Sequence, residues 1–338
     1  MDFRPDEAQQ AIISLAGEVL DGSDTPERLW KDLGQAGLLT LAVPARLGGA
    51  GLGVLETVLV LTEIGRRAVA VPALQALALG VLPVVRWGTE QQQSELLTDG
   101  RLPSAAIAEP GDPFPSRPRA TLSADGTVTG VKIGAGGGIR CLVTASQNLQ
   151  GYGESTAVVI VDPSGPGAVL EGGVLRLDEA PGELLGGSDC HADLLRCGTA
   201  GACALGDGAL AGALAMTAEH VRTRRQFGRP LATFQAVAQQ IADVYVISRT
   251  LHLASLSASW RLSTGRDAGD DLAVAAQWLT AEALPAVRTC HHLHGGLGLV
   301  ADYPLHRHTA LLRDLVRFLG GSELCLENLG ERLVSRPD

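Results

Sequence analysis

The sequence predicts an α+β protein in which a helical segment, a β-rich segment and a second helical segment follow one another. Apolar residues recur at helical spacing before residue 102 and again after residue 200, whereas short β-type runs separated by turn residues lie between them. The chain has 338 residues, 46% hydrophobic and 19% charged. It is therefore too apolar for a disordered protein and long enough to bury a substantial core.

The N-terminal segment, residues 1–102, is predicted to be helical. Pro26 begins an amphipathic periodic stretch, and Gly37 ends it. Residues 43–53 contain too many glycines for a helix and predict a loop. Helical spacing resumes over residues 54–68.

The middle segment, residues 103–200, is predicted to form a small β barrel or sandwich. Its apolar runs are short and are separated by Pro, Gly and Asp, and Asp125-Gly126 is a hairpin signal. The predicted strands cover Ala105–Ala108, Thr127–Lys132, Cys141–Thr144, Ala157–Val161 and Val174–Leu177.

The C-terminal segment, residues 201–338, is predicted to be a helical domain of the four-helix-bundle type. Its clearest signal is one long amphipathic helix, in which mostly apolar residues recur three and four positions apart. These residues are Phe234, Val237, Ile241, Val244, Ser248 and Leu251.

Charge and composition exclude several classes of protein. With 27 basic and 37 acidic residues the net charge is −10, which argues against a nucleic-acid partner. The most apolar stretch, residues 72–85, is shorter than a membrane span, and the N-terminal residues lack a secretory signal. The 6 cysteines form no C-x-x-C pair. We therefore expect a cytoplasmic protein with reduced thiols and no membrane partner.

Five ordered motifs resemble those of the acyl-CoA dehydrogenases. This resemblance covers essentially the whole chain and implies that family's fold, with N-terminal helices, a middle β domain and a C-terminal helical domain. The chain is similar in particular to the short, non-catalytic subunit of actinobacterial heterotetrameric dehydrogenases that oxidise steroid side-chain CoA thioesters. The motifs are Gly37–Gly51, Gly88-Thr89-Glu90-Gln91, Ala106–Pro110, Arg224–Gln235 and His294–Arg307.

The resemblance implies that FAD is the cofactor and that it is shared with a neighbouring subunit. A pyrophosphate favours fixed arginine side chains and exposed backbone N–H groups. An exposed helix end would explain the arginines equally well if they stood alone, but Gln-Phe-Gly and Phe-Gln follow in register. The FAD-binding residues implied by the family motifs are Arg224, Gln226, Phe227, Gln235, His292, His294, Gly295 and Gly296.

The β segment departs from the family pattern at positions that face the flavin. Family members have a Thr before Glu-Pro, where this chain has Ala108. They also have a Lys-x-Trp-Ile-Thr segment, whereas Lys132 is followed here by Gly134 and Gly136 at the Trp and Thr positions. The flavin-facing surface of this chain has therefore lost aromatic area and hydroxyl donors.

The catalytic glutamate of the family is also missing, so no catalytic residue is assigned. Family members hold this base in a Glu-Gly-Thr turn, which aligns with Gly320, or with Leu319 if counted without a gap. Some relatives hold it one helix earlier, at Ala281, and Glu282 is one residue away. Because one residue turns a side chain by about 100° on a helix, Glu282 is a weak alternative.

A cluster of histidines near the C-terminus suggests a metal site, but we expect none. Its spacing matches no standard zinc pattern, and no cysteine pair accompanies it. The histidines are His291, His292, His294, His306 and His308.

The sequence thus favours a subunit of an FAD-dependent acyl-CoA dehydrogenase that is inactive alone. It would give FAD-binding residues to a homologous catalytic subunit in an α2β2 complex, with the acyl-CoA bound mainly by that partner and electrons passed to a separate acceptor. Two alternatives stay open: a self-sufficient dehydrogenase that uses Glu282 as base, and a non-redox binding or structural relative.

Overall fold

A computed structural model describes residues 3–22, 25–98, 102–136, 140–149 and 153–334. Helices form both ends of the chain, and strands lie between them, as predicted. The helices are α1 (Glu7–Asp21), α2 (Pro26–Gln35), α3 (Val54–Arg66), α4 (Leu82–Trp87), α5 (Glu90–Leu97), α6 (Cys190–Thr223), α7 (Gln235–Ser263), α8 (Gly269–His294), α9 (Leu305–Phe318) and α10 (Gly321–Val334).

Helix boundaries in the N-terminal segment follow the local sequence signals. α2 begins at Pro26 as predicted, and Thr89 begins α5 with a reciprocal capping box to Gln92. The predicted loop at residues 43–53 includes a short 3₁₀ turn, Ala45–Leu47. The apolar stretch after Pro72 continues as a π-helical segment, Leu74–Val81, which the pattern did not predict.

The β segment forms a closed barrel among the described residues. The ring of neighbouring strands runs β4-β2-β3-β7-β5 and returns to β4, while β1 pairs with β4 and β6 pairs with β7. The predicted hairpin turn at Asp125-Gly126 joins β2 to β3. The strands are β1 (Ser104–Ala106), β2 (Thr121–Leu122), β3 (Thr127–Ile133), β4 (Cys141–Leu149), β5 (Gly153–Val161), β6 (Ala168–Glu171) and β7 (Val174–Leu185).

The interior of this barrel is apolar and closely filled. Because successive side chains of a strand point to opposite faces, every second residue reaches the interior. Val128, Val143, Val159 and Leu175 are all fully buried there. The barrel therefore has a core of its own and provides a rigid support for its loops.

The chain divides into two compact units. One unit contains Met1–Leu33, Val58–Val71 and Thr199–Asp338 and is helical; the other contains Gly34–Thr57 and Pro72–Gly198 and includes the barrel. The domain boundaries at residues 102 and 200 stay a prediction.

Part of the glycine content is explained by helix packing in the helical unit. An added Cβ on Gly208 of α6 would lie 1.9 Å from the carbonyl oxygen of Thr62 in α3. An added Cβ on Gly212 would lie 2.1 Å from the carbonyl oxygen of Arg66. Only glycine permits the two helix backbones to approach this closely.

One described helix, α6, has the length and apolar character of a membrane span. However, 72% of its most apolar window is buried inside the protein. A buried core helix has the same length and composition.

Candidate cofactor-binding site

The arginine-rich motif forms a small exposed hairpin directly after α6. Arg225–Gln226 (β8) pairs with Arg229–Pro230 (β9), and the backbone N–H of Leu231 donates to the Arg224 carbonyl at 2.9 Å. The guanidinium of Arg225 donates to the Gly228 carbonyl at 3.0 Å. We call Arg224–Pro230 the arginine hairpin.

The tip of the arginine hairpin holds an aromatic residue in an unusual conformation. Phe227 has φ +50° and Gly228 has φ +80°, so both central residues of the turn have positive φ, as in type I′ hairpins. A bulky residue at positive φ is uncommon, and Phe227 is also 92% exposed. Such outliers cluster at functional sites, which makes Phe227 a candidate ligand contact.

The start of α7 lies beside the arginine hairpin. The guanidinium of Arg229 stacks over the ring of Phe234 at 4.0 Å, and Phe227 meets the same ring edge-on with centroids 6.2 Å apart. Gln235 is the first residue of α7, and its side chain is exposed. Arg224, Gln226, Phe227 and Gln235 are thus all solvent-exposed, and they occupy the hairpin and the adjoining helix start.

The second motif forms a glycine turn at the end of α8. Gly295 has φ +58° and ψ −138°, a backbone conformation essentially restricted to glycine. Gly295 and Gly296 are exposed, and an added Cβ on either would meet nothing within 4 Å. The backbone of this turn is therefore open to close approach by a ligand.

His294 is buried and hydrogen-bonded within the protein rather than open to solvent. Its ring is 4% exposed, Nδ1 bonds the Cys290 carbonyl at 2.8 Å, and Nε2 bonds the Tyr303 hydroxyl at 3.0 Å. His292, in contrast, is exposed. The role of both as FAD ligands stays a prediction, but the geometry of His294 suits a residue that holds the turn.

Two further histidines, His291 and His220, support the glycine turn. The sequence motifs did not identify either of them as a functional residue. Nδ1 of His291 bonds the Gly298 carbonyl at 2.8 Å, and its Nε2 bonds the Thr309 hydroxyl of α9 at 2.7 Å. The ring of His220, in the last turn of α6, stacks on His294. His291 lies three residues before the His294–Arg307 motif, which is the only sequence signal for it. For His220, 74 residues from its partner His294, the sequence gives no signal.

The two positions aligned with the family base cannot provide a carboxylate. Leu319 is buried, and Gly320 has φ +86°. An added Cβ on Gly320 would lie 2.3 Å from Cδ2 of Leu324, so the space beside it is filled. The alternative, Glu282, is half-buried on α8. Its role as a base stays untested.

The barrel contains a buried ion pair between two residues of the family motifs. Nζ of Lys132 donates to Glu109 Oε1 at 2.6 Å and to the Thr144 hydroxyl at 2.9 Å, and both charged side chains are almost completely buried. Backbone N–H groups of Arg119 and Ala120 donate to the same carboxylate. The sequence motifs identified both charged residues but not that they pair.

Electrostatics in this pair favour the ionised carboxylate. Burial alone raises the pKa of Glu109, but the hydrogen bonds from Lys132, Ala120 and Arg119 outweigh it, and the pKa lies below its ordinary value.

The barrel positions that the resemblance predicts to face the flavin carry little side-chain area. Ala108 is half-buried, and its carbonyl accepts the N–H of Ile133 at 2.9 Å. Gly134 has φ +70°, and an added Cβ on Gly136 would lie 3.7 Å from Cβ of Ser104. A tryptophan at Gly134 would have to adopt a strained backbone in this loop.

In the part of the chain that the structure describes, no three His, Cys, Asp or Glu side chains form a metal-binding group. Both ring nitrogens of His291 and of His294 already bond protein atoms.

Comparison with known proteins identifies the family. The acyl-CoA dehydrogenase N-terminal domain matches residues 6–100, and the acyl-CoA dehydrogenase C-terminal domain matches residues 194–334. The chain belongs to the acyl-CoA dehydrogenase family. It is 40% identical to acyl-CoA dehydrogenase FadE28 of Mycobacterium tuberculosis (strain ATCC 25618 / H37Rv), over 98% of this chain and 99% of that protein.

Two solved structures of similar chains agree with this family assignment. A chain of the ChsE4-ChsE5 complex from Mycobacterium tuberculosis is 30% identical, with a TM-score of 0.89 and coverage of 100% of both chains. A chain of a variant of the Tcur3481-Tcur3483 steroid ACAD is 30% identical, with a TM-score of 0.87 and coverage of 97% of this chain and 98% of that one. The predicted family and fold are thereby confirmed.

Proposed function

We propose that this chain is the non-catalytic subunit of a heteromeric acyl-CoA dehydrogenase and gives FAD-binding residues to a homologous catalytic subunit. FAD is the cofactor of the family. One similar structure is a complex of two differently named chains, and another is a steroid ACAD. For this chain we propose an assembly of unlike subunits with α2β2 stoichiometry, and a CoA thioester with a steroid side chain as substrate.

The exposed side chains fit a dinucleotide cofactor. Arg224 has no ion pair or side-chain hydrogen bond within residues 3–22, 25–98, 102–136, 140–149 and 153–334, so its guanidinium is available to a pyrophosphate. Gln226 and Gln235 add amide donors, and Phe227 offers a ring that nothing in the hairpin covers. The open backbone of Gly295 and Gly296 suits the adenine end of the cofactor.

The non-catalytic assignment rests on one observation, the glycine at position 320, which aligns with the catalytic glutamate of the family. A base must lie within hydrogen-bond reach of the proton it removes, and it must be a group that accepts one. The aligned turn has glycine at positive φ with Leu324 beside it, and the preceding Leu319 is apolar and buried. We therefore assign the carboxylate to the partner subunit.

The chemistry divides between the two subunits accordingly. Dehydrogenation breaks the Cα–H and Cβ–H bonds of the thioester and forms the Cα=Cβ double bond. A carboxylate of the catalytic partner takes the α proton, and FAD, when bound, supplies the acceptor for the hydride from Cβ. The arginine hairpin and the glycine turn of this chain bind and orient the nucleotide part of the cofactor. Electrons then pass to a separate acceptor.

Co-expression tests this proposal. The chain would be produced alone and together with acyl-CoA dehydrogenase homologues of the same organism that carry the Glu-Gly-Thr turn. We expect a colourless or insoluble chain alone, and a yellow complex that is bleached by an acyl-CoA after co-expression.

The same experiment separates the alternatives. A yellow chain that is bleached by an acyl-CoA in the absence of any partner would contradict the proposal and favour a displaced base such as Glu282. A stable complex without flavin would favour the non-redox alternative. The matched variant Glu282→Gln should leave the activity of the co-expressed complex unchanged.

A further inference from the structure

A stacked pair of imidazoles joins the arginine hairpin to the glycine turn. The ring centroids of His220 and His294 lie 4.5 Å apart, and their planes differ by 21°. His220 is in the last turn of α6, and its carbonyl accepts the N–H of Arg224 at 2.8 Å. His294 is the last residue of α8 and directly precedes Gly295. The contact therefore links the first residue of the hairpin to the turn.

The His294 side of the stack is fixed in place. Its two ring nitrogens bond the Cys290 carbonyl and the Tyr303 hydroxyl, and the Tyr303 ring lies against it with centroids 5.2 Å apart. A ring held on both edges cannot rotate to follow a neighbour. The stack of His220 on His294 is therefore one contact through which the hairpin takes its position from α8.

We propose that His220 is a positioning residue, which holds the arginine hairpin at a fixed separation from the glycine turn so that both bind one FAD. This inference rests on the proposed function. We assign His220 no contact with the cofactor. It affects FAD binding through its neighbours Arg224 and His294.

The stack also makes FAD binding dependent on pH. The charged and titratable groups that act on His220 are Arg224, directly after α6, and His294 across from it. His294 in turn lies against Tyr303 and interacts electrostatically with His291. Burial, His294 and Arg224 lower the pKa of His220, and burial also lowers the pKa of His294. The native arrangement therefore favours neutral rings. Its contribution is present above the ordinary histidine pKa of about 6.5 and is lost as the pH falls through the lowered values.

Variants at His220 in the co-expressed complex test the proposal, with FAD as the probe and its dissociation constant as the measurement. His220→Ala should weaken FAD binding about three- to tenfold at neutral pH, the effect of losing an aromatic contact. His220→Phe keeps a ring but cannot be protonated. It should bind FAD like the wild type at neutral pH and lose less affinity on acidification. The matched control is the exposed His306→Phe, which should keep the wild-type pH profile.

Several outcomes would overturn the proposal. Unchanged FAD affinity in His220→Ala excludes a positioning role, and so does a His220→Phe complex that weakens with acid as the wild type does. If the His220→Ala complex fails to assemble, the pH profile of the His220→Phe complex still tests the positioning role. Arg224→Ala separates this inference from the proposed function: unchanged affinity in Arg224→Ala contradicts the shared FAD site, whereas unchanged affinity in the His220 variants alone contradicts only the positioning role.

Discussion

The barrel and the arginine hairpin both carry residues of the family motifs, but these residues have opposite environments. In the barrel, Glu109 and Lys132 are buried, and each is bonded by the other and by neighbouring groups. In the hairpin, Arg224 and Phe227 are exposed, and Phe227 also has a strained backbone. The first pair has a clear role in folding, whereas the side chains of the second lie at the surface.

This difference indicates where each set of residues acts. A buried, fully bonded pair is needed by the chain itself, because removing either partner leaves a charge without compensation in the interior. Exposed arginine, glutamine and phenylalanine side chains contribute little to the stability of a monomer. Variants in the barrel should therefore change stability, and variants in the hairpin should change cofactor binding. Three of the four variants below test this comparison, and Gly320→Ala tests the turn at the predicted base position. They follow from the largest expected effect to the smallest.

Glu109→Gln should produce the largest loss of stability, about 3 kcal/mol, because it leaves the Lys132 ammonium buried without its counter-charge. Urea unfolding measures this loss. The double variant Glu109→Gln with Lys132→Met should recover most of it, since both charges are removed. A single variant as stable as the wild type would contradict the structural role of the pair.

The pH dependence of the same variant has a defined sign. Because the pKa of Glu109 is lowered in the folded state, its contribution is present above the ordinary glutamate pKa of about 4.3 and is lost as the pH falls through the lowered value. The stability difference between wild type and Glu109→Gln should therefore shrink in acid and be full at neutral pH.

Gly320→Ala should destabilise the chain by about 2 kcal/mol, since it adds strain at positive φ and a contact with Leu324. Gly321→Ala is the matched control. Its φ is also +86°, but its Cβ would meet nothing within 4 Å, so we expect only about 1 kcal/mol. Equal losses in urea unfolding would show that Leu324 does not fill the base position.

Arg224→Ala should weaken FAD binding by the complex about tenfold or more, the effect of losing a charge-assisted hydrogen bond. Its stability should stay within about 0.5 kcal/mol of the wild type. Arg222→Ala is the control, because Arg222 is also exposed and bonds only Glu219 among the described residues. Flavin absorbance of the purified complexes measures the effect, and equal flavin in both variants would contradict the hairpin's role.

Phe227→Gly should have the smallest effect on stability. Relief of the positive-φ strain offsets the greater entropy of the unfolded chain, and the net change should lie within about 0.5 kcal/mol. FAD binding should nevertheless weaken, which would separate the function of this residue from folding. A marked loss of stability would show instead that the contact of Phe227 with Phe234 holds the hairpin together.

Much of the fold could be predicted because its signals are local. The helix start at Pro26 and the turn at Asp125-Gly126 depend on a few neighbouring residues, and each was found where predicted. Strands β2 and β6 were missed, because they have two and four residues and are too short for an alternating pattern.

The missed features depend on contacts between distant parts of the sequence. β4 continues to Leu149 beyond its apolar run, because its polar end pairs with β5. Closure of the barrel depends on pairing of this kind. The candidate site shows the same division. Its motifs could be found from their resemblance to the family, whereas the stack of His220 on His294 and the pairing of Glu109 with Lys132 required the structure.

The central claim is that this chain supplies half of a shared FAD site and the partner supplies the base. The most direct test is the ratio of FAD to protein in the complex purified after co-expression with a catalytic homologue. The account predicts one FAD for each pair of unlike chains and none on this chain alone. One FAD for every chain, or a flavin that stays on this chain after the partner is removed, would contradict it.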